Sequence, residues 1–435
     1  MIRLHPIPDA AHSCPHCGLA FEVRGWYMPG MRVLAQLHCA GCGRDFYGDL
    51  AAAQALYTPM LLECATGTVH DRFGVPWFAA WLHNAYANRS SEPLPFTVEE
   101  FRPPERPIII NCIDKLYGHA LLKLLNAQHY LDHHPELDVI VLVPRYLRWM
   151  VPDGVAAVWT VDLALRRGTE WNDWLAGEIA RRIEPSGACM LSVALPHPHP
   201  GDVAIERFTG VRPFPEEGWR HSSTDPVVTF VWREDRLWAP AANRVRKVAR
   251  KLRRKVGLDS SHLPGQRARM IEMAGAIRDG IPSLRFIVAG LGEPGGLPEW
   301  MEDRRRTKID EATEREWCRL YAESHIVIGV HGSNMLLPSA HAGAVIDLMP
   351  DDRWANMLQD LTVRYADPRE AMFHCQLVPV TISPADAAGM ALSLLRDRDA
   401  MMLNMGRANS LHGAVAAGML SARRLALGER ERVAG

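Results

Sequence analysis

The chain has almost no net charge, no low-complexity tract, no internal repeat and no apolar run long enough to span a bilayer. Lys and Arg number 49 against 50 Asp and Glu, giving a formal charge of -1. That balance supplies no global field for nucleic acid or anionic membrane, so any such binding has to rest on a local patch. Met1 is followed closely by His5, Pro6, Pro8 and Asp9. A signal-peptide apolar core is therefore missing, and the expected compartment is the cytoplasm. Cysteine is scarce, nine in 435 residues, which excludes a disulfide-dense secreted scaffold and fits a reducing compartment. Hydrophobic residues at 48% and charged residues at 23% exclude extensive disorder. A chain of this length exceeds what one core usually organises, so two or three domains are expected.

Four of the nine cysteines are clustered. They read Cys14-Pro15-His16-Cys17-Gly18 and Cys39-Ala40-Gly41-Cys42-Gly43, with 21 residues between the pairs. A CxxC turn aims two thiolates at one point, and the following glycine relieves backbone crowding. Two such turns complete a tetrahedral site with no open position, so residues 1–55 are expected to be a zinc ribbon holding a structural zinc ion on Cys14, Cys17, Cys39 and Cys42. His16 reads as a bystander. Cys64, Cys112, Cys189, Cys318 and Cys375 read as structural.

Residues 56–107 suggest a helical connector and a proline-rich linker. Beyond it, apolar runs alternate with helical spacing. Ile108 to Cys112, a helix over 118–133 and Asp138 to Val143 make a βαβ unit, extended by Val155 to Val161, a helix over 171–183 and Ala188 to Leu195. A second alternation runs through Val227 to Trp232, helices near 243–256 and 266–278, Leu284 to Ala289, a helix over 314–323, His325 to Val330, a short helix over 334–341 and Ala344 to Leu348. The fold class is therefore α/β: two Rossmann-like domains, residues 108–220 and 221–383, preceded by the ribbon and followed by a helical tail over 384–435. Ligands of such sheets bind at the strand carboxyl ends.

The most informative stretch is Ile326-Val327-Ile328-Gly329-Val330-His331-Gly332-Ser333-Asn334, a buried strand running into a polar, glycine-containing turn. His331, Gly332, Ser333 and Asn334 can surround a diphosphate with backbone N–H groups and side chains, and Asp347, on the next strand, can accept hydrogen bonds from ribose hydroxyls. Pro338 fits only near the first turn of the helix that follows.

The segment from His325 to Pro350, HIVIGVHGSNMLLPSAHAGAVIDLMP, resembles the carboxyl-terminal motif of family 61 glycosyltransferases. The block from Tyr117 to Pro144, YGHALLKLLNAQHYLDHHPELDVIVLVP, is similar to the amino-terminal block of that family, and Phe230 to Asp235 is similar to its strand-Arg opening of the second domain. These blocks lie in the order expected of a GT-B fold. The resemblance implies a nucleotide sugar, UDP- or GDP-linked, as co-substrate. Lys123 stands where the family often has an acidic residue, Ser333 replaces a usual small apolar residue, and a zinc ribbon is not a family feature.

Inverting glycosyl transfer has two needs: donors for the charge growing on the leaving diphosphate, and a base for the acceptor's proton. Arg233 and the turn at His331 are the candidates for the first. His119 and Asp114 are the candidates for the second, with His119 preferred. Each has an alternative: an ion pair with Glu234 or Asp235 for Arg233, helix capping for His331, plain packing for His119, turn capping for Asp347. The acceptor, whether glycan, protein or nucleic acid, stays open. The run Arg244 to Lys255, RVRKVARKLRRK, reads as an amphipathic helix with either a solvated basic face or an anionic partner. A competing class is a binding protein in which ribbon and basic helix grip nucleic acid on a degenerate GT-B scaffold.

Overall fold

The computed structural model describes residues 2–5, 13–50, 60–71, 74–184, 189–192, 200–215, 219, 225–238, 259–357, 359, 361–365 and 367–404. The basic run 244–255, the helix expected near 243–256, most of the His-Pro segment at 196–201 and the tail beyond 404 lie outside the described residues.

The first strand, β1 (Ile2–His5), does not belong to the ribbon. It pairs in parallel with a strand of the first α/β sheet. The ribbon sheet follows as β2 (Glu22–Tyr27), β3 (Leu34–Cys39), β4 (Arg44–Asp49), β5 (Met60–Glu63) and β6 (Val69–Asp71), antiparallel throughout and in sequence order. It thus continues past residue 55, and the helix Pro76–Ala87 closes it by placing Phe78 and Leu82 against Leu34, Met60 and Leu62.

The stretch read as linker carries β7 (Phe96–Glu100), which is followed by β8 (Pro107–Asn111), β9 (Asp138–Pro144), β10 (Ala157–Val161) and β11 (Cys189–Ser192). The sheet order is β1-β11-β8-β9-β10-β7, parallel except for β7. Side-chain alternation splits its apolar residues between two cores. Ile109, Ile140, Leu142 and Trp159 face the helix Asp173–Ile183 and the ribbon residues Met28, Met31, Leu37 and Phe46. Ile108, Ile110, Val139 and Val141 face the helix Tyr117–His133 through Leu121, Leu124 and Leu125.

The second sheet comprises β12 (Val227–Trp232), β13 (Arg285–Leu291), β14 (Met301–Arg306), β15 (Ile326–Val330), β16 (Ala344–Met349) and β17 (Cys375–Pro379), all parallel, in the order β14-β13-β12-β15-β16-β17. Counted within the unit this is the doubly wound order 3-2-1-4-5-6, whose direction reverses between β12 and β15. The first sheet reverses in the same way between β8 and β11. Helices Asp259–Gly280 and Pro384–Asn404 cover one face with Met270, Met273, Ile277, Ala387, Ala391 and Leu394, and Glu311–Glu323 covers the other with Trp317, Leu320 and Tyr321.

The fold class is α/β as expected, with two parallel sheets after a small antiparallel one. The two units do not simply face each other across an open cleft. Cys318, Leu336, Leu337 and Ala340 of the second unit enter the first unit's core beside Leu121 and Leu125. Polar ties cross the same junction: Arg315 Nη1 donates to Thr209 O at 3.0 Å, Phe214 N to His341 O at 2.7 Å, and Thr209 Oγ1 lies 2.9 Å from His341 Nε2.

Candidate active site

Where the second sheet reverses direction, the loops after β12 and β15 come together. Gly332 has φ +149°, and a Cβ there would collide with the guanidiniums of Arg233 and Arg236, so glycine is what lets both arginines close on the turn. Ser333–Met335 forms a 3-10 turn that runs into the six-residue helix Leu336–His341. Pro338, third in that helix, lacks only an N–H that would have no partner within it. A helix this short adds little dipole, so the turn's electrostatics come from the arginines instead.

Arg233 makes the ion pair weighed for it, with Asp235, and also reaches the turn after β15. Its Nε and Nη2 grip Asp235 Oδ1 and Oδ2 at 2.7 and 2.6 Å, while Nη1 donates to His331 O at 3.1 Å and to Asn334 Oδ1. Arg236, which the sequence reading missed, donates to His331 O as well. The only signal for it is its spacing, three residues after Arg233.

His331 and Asp347 are both fully buried, and His331 Nδ1 lies 2.5 Å from Asp347 Oδ2. Asp347, expected to meet a ribose, lies within β16 beneath the turn and holds His331. His331 also continues the β15–β16 ladder by donating its backbone N–H to Leu348 O at 3.1 Å. The pair is a support for the turn.

A cavity of about 370 Å³ opens beside this turn. Arg233, Asp235, Ser333 and Asn334 line it, Tyr117 and Leu165 come from the first unit, and Trp232, Trp317 and Tyr321 give it an aromatic portion beside aliphatic residues such as Leu291 and Leu337. Glu314 also lines it and was missed from sequence, since a glutamate in the first turn of a helix reads as solvent-facing. Instead it is buried and accepts hydrogen bonds from Tyr117 Oη at 2.8 Å and Trp149 Nε1 at 3.1 Å. Burial raises its carboxyl above the usual range, against the lowering effect of those two donors.

The other candidates sit after β8, where the first sheet reverses. Asp114 is buried, with Lys123 Nζ 2.9 Å from its Oδ2, Leu116 N donating to Oδ1 at 3.0 Å, and His119 Nδ1 3.7 Å from Oδ1. Burial alone would raise its carboxyl, but Lys123 and His119 outweigh that and hold it well below the usual carboxylate range. Asp114 is therefore a poor proton acceptor and a good orienting partner for His119. Lys123, four residues after His119, is the buried counterion of Asp114 and also donates to Ile113 O at 2.9 Å. His119 follows Tyr117 by two residues on one helix; it is not itself in the cavity wall.

The four ribbon cysteines converge. Cys14 Sγ lies 3.6 Å from Cys42 Sγ, Cys17 Sγ lies 3.3 Å from Cys39 Sγ, and all four sulfurs fall within 4.8 Å of one another. Four thiolates about 2.3 Å from a tetrahedral ion stand about 3.8 Å apart, so the cluster fits a metal. Gly18 (φ +77°) and Gly43 (φ +67°) close the two turns by donating to Cys14 O and Cys39 O at 2.9 and 2.8 Å. The ribbon is tied to the first sheet by Asn111 Nδ2, which donates to Gly30 O at 2.8 Å.

No family model matches the chain, and no curated protein does. Among solved structures it is similar to the ADP-heptose lipopolysaccharide heptosyltransferase II of E. coli, at 12% identity and TM-score 0.37 over 68% of this chain and 99% of that one. It is also similar to the dodecameric iron-containing heptosyltransferase TibC in complex with ADP-D-beta-D-heptose, at 11% identity and TM-score 0.30 over 90% and 97%. A third likeness is to a putative UDP-N-acetylglucosamine 2-epimerase from Listeria monocytogenes, at 9% identity and TM-score 0.31 over 66% and 74%. Likenesses this distant assign no ligand or activity. Among the described residues no helix is long and apolar enough to cross a membrane.

Proposed function

We propose that the chain is a glycosyltransferase that takes a sugar from a nucleotide diphosphate sugar, UDP- or GDP-linked, and passes it to an acceptor hydroxyl with inversion. The observation that carries this reading is the cavity where the second sheet reverses, with Arg233, Ser333 and Asn334 in its wall and Arg236 on the turn behind. Doubly wound sheets bind nucleotides at that position. The diphosphate would lie against Arg233 and the 332–334 turn, displacing part of the Arg233 grip on Asp235, while the aromatic portion of the cavity takes the base.

In the transfer step the acceptor oxygen forms a bond to the anomeric carbon as the bond from that carbon to the β-phosphate oxygen breaks. The electron pair leaves on the diphosphate, where Arg233 and the 332–334 turn meet the growing charge. His119 takes the acceptor proton on Nε2, since Nδ1 faces Asp114. Asp114, kept ionised by Lys123, orients the ring and stabilises the imidazolium that forms. A zinc ion on Cys14, Cys17, Cys39 and Cys42 would be four-coordinate and serve as a cross-link for the ribbon. A cytoplasmic setting belongs to the same proposal.

The test is calorimetric titration of the chain with UDP, GDP and their sugars, alongside an assay of nucleotide release. Binding of one nucleotide family in the micromolar to millimolar range supports the reading, and no response to any of them removes it.

A further inference from the structure

Behind the cysteine cluster the ribbon holds a second group of donors that the proposed transfer does not use. Glu63 ends β5, and His70 lies on β6 opposite Leu61. Because Leu61 and Glu63 share one face, Glu63 and His70 are diagonal neighbours on that face. His16 reaches the same point from the Cys14–Cys17 turn. Its Nε2 is 3.3 Å from Glu63 Oε2, His70 Nε2 is 3.9 Å from the same oxygen, and the donor atoms of all three residues lie within 4.8 Å of one another.

We infer that His16, Glu63 and His70 form a second metal site, which takes a divalent first-row ion such as zinc and leaves one position to water. Ligands about 2.0–2.1 Å from a tetrahedral ion stand about 3.3 Å apart, so small side-chain movements complete the set. Two imidazoles and one carboxylate suit zinc and its first-row neighbours, whereas calcium and magnesium take oxygen ligands.

The surroundings match what such a site needs. Glu63 is buried, and its other oxygen, Oε1, is held by Arg44, the kind of outer partner that fixes a ligating carboxylate. Phe46, directly across the sheet from Glu63, forms an apolar floor with its ring centroid 6.2 Å from each imidazole. The imidazoles meet edge to face at 5.7 Å, and the His16 side chain is 37% exposed, which gives an ion a path from solvent. His16, a bystander by sequence, gains a role, and the cysteine turn that carries it fixes its backbone. With three protein ligands rather than four, this site holds its ion less tightly than the cysteines do.

The test is a zinc titration of the full chain, with metal counted by mass spectrometry after desalting, together with a cobalt titration followed in the visible and near ultraviolet. The wild type should bind about two equivalents, the first tightly and the second more weakly. The first cobalt should bring intense thiolate charge-transfer bands and the second only weak visible bands. Replacing His16→Asn and His70→Asn together leaves the Glu63–Arg44 pair in place. It should remove the second equivalent and the weak bands while the thiolate bands and the melting temperature of the one-metal protein stay unchanged. Saturation of the wild type at one equivalent overturns the inference, as does a double variant that still binds two. The wild-type cobalt spectrum decides the matter even if the variant fails to fold.

Discussion

Replacing Arg233 by Ala separates a ligand-binding role from a structural one, because the surroundings of the side chain predict different sizes for the two. Arg233 is 11% exposed and reaches the cavity, but its ion-pair partner Asp235 is 69% exposed. Once the guanidinium is gone, water solvates that carboxylate, so the lost pair costs about 0–1 kcal/mol of fold stability. The freed Asn334 oxygen and His331 carbonyl add about 1 kcal/mol, and Arg236 still donates to His331 O. A diphosphate has no such replacement. Losing charge-assisted hydrogen bonds to it costs about 1.5–3 kcal/mol, or about 10- to 150-fold in Kd. Calorimetry with UDP and GDP reads the affinity, and a urea melt without ligand reads the fold. Arg233→Lys, which keeps the charge without the fork, should fall between Ala and wild type. An Ala variant that folds and binds nucleotide as wild type does would refute the assignment.

Gly332→Ala should cost about 1–3 kcal/mol through its positive φ and the collision with Arg233 and Arg236, and should weaken nucleotide binding beyond what the melt explains; steady-state binding equal to wild type would contradict it. His119→Ala should lower kcat about 10²–10⁴-fold with nucleotide affinity unchanged, and an unaltered kcat would return His119 to plain packing. Asp114→Asn leaves Lys123 buried without its counterion and should destabilise the protein by about 3–5 kcal/mol at neutral pH. Because the folded-state carboxyl of Asp114 is depressed, its stabilisation is present above the ordinary carboxylate value of about 4 and lost as pH falls below it. Urea melts across that range should therefore show a steeper acid loss for wild type than for the variant, and parallel curves would count against the pair. Cys39→Ser should abolish tight metal binding and destabilise the ribbon while UDP or GDP affinity persists in the second unit; a joint loss of metal and nucleotide would show that the two are coupled.

Elements built from isoleucine and valine were legible in the sequence, since a strand buried on both faces has to be apolar along its length. β8, β9, β12, β15 and β16 all fall within a residue or two of their apolar runs. Elements that break the pattern were not. β14, Met-Glu-Asp-Arg-Arg-Arg, is an edge strand whose charges pair with one another, and its Arg305 is buried over the Trp232 ring at 4.9 Å. β1 pairs with a strand too far along the chain for local pattern to reveal.

The site divides in the same way. The His-Gly-Ser-Asn turn drew notice because its residue types suit a phosphate, and Ser333 and Asn334 do line the cavity. The burial of Asp347 under it could not be read, because an acidic residue in an apolar strand reads as a strand-end ligand until its partner, His331, is placed. Lys123 looked like the loss of an acid; in space it is the buried counterion of Asp114, in the loop before the helix. Glu314 needed the junction of both units to become visible, since its partners Tyr117 and Trp149 belong to the other one.

The central claim is that a nucleotide diphosphate sits where the second sheet reverses. A crystal structure of the chain with UDP or GDP bound tests it most directly. The account predicts the diphosphate within hydrogen-bond distance of the Arg233 guanidinium and the Ser333–Asn334 turn, with the base against the aromatic portion of the cavity. A nucleotide bound elsewhere, with that cavity filled only by solvent at saturating ligand, would contradict it.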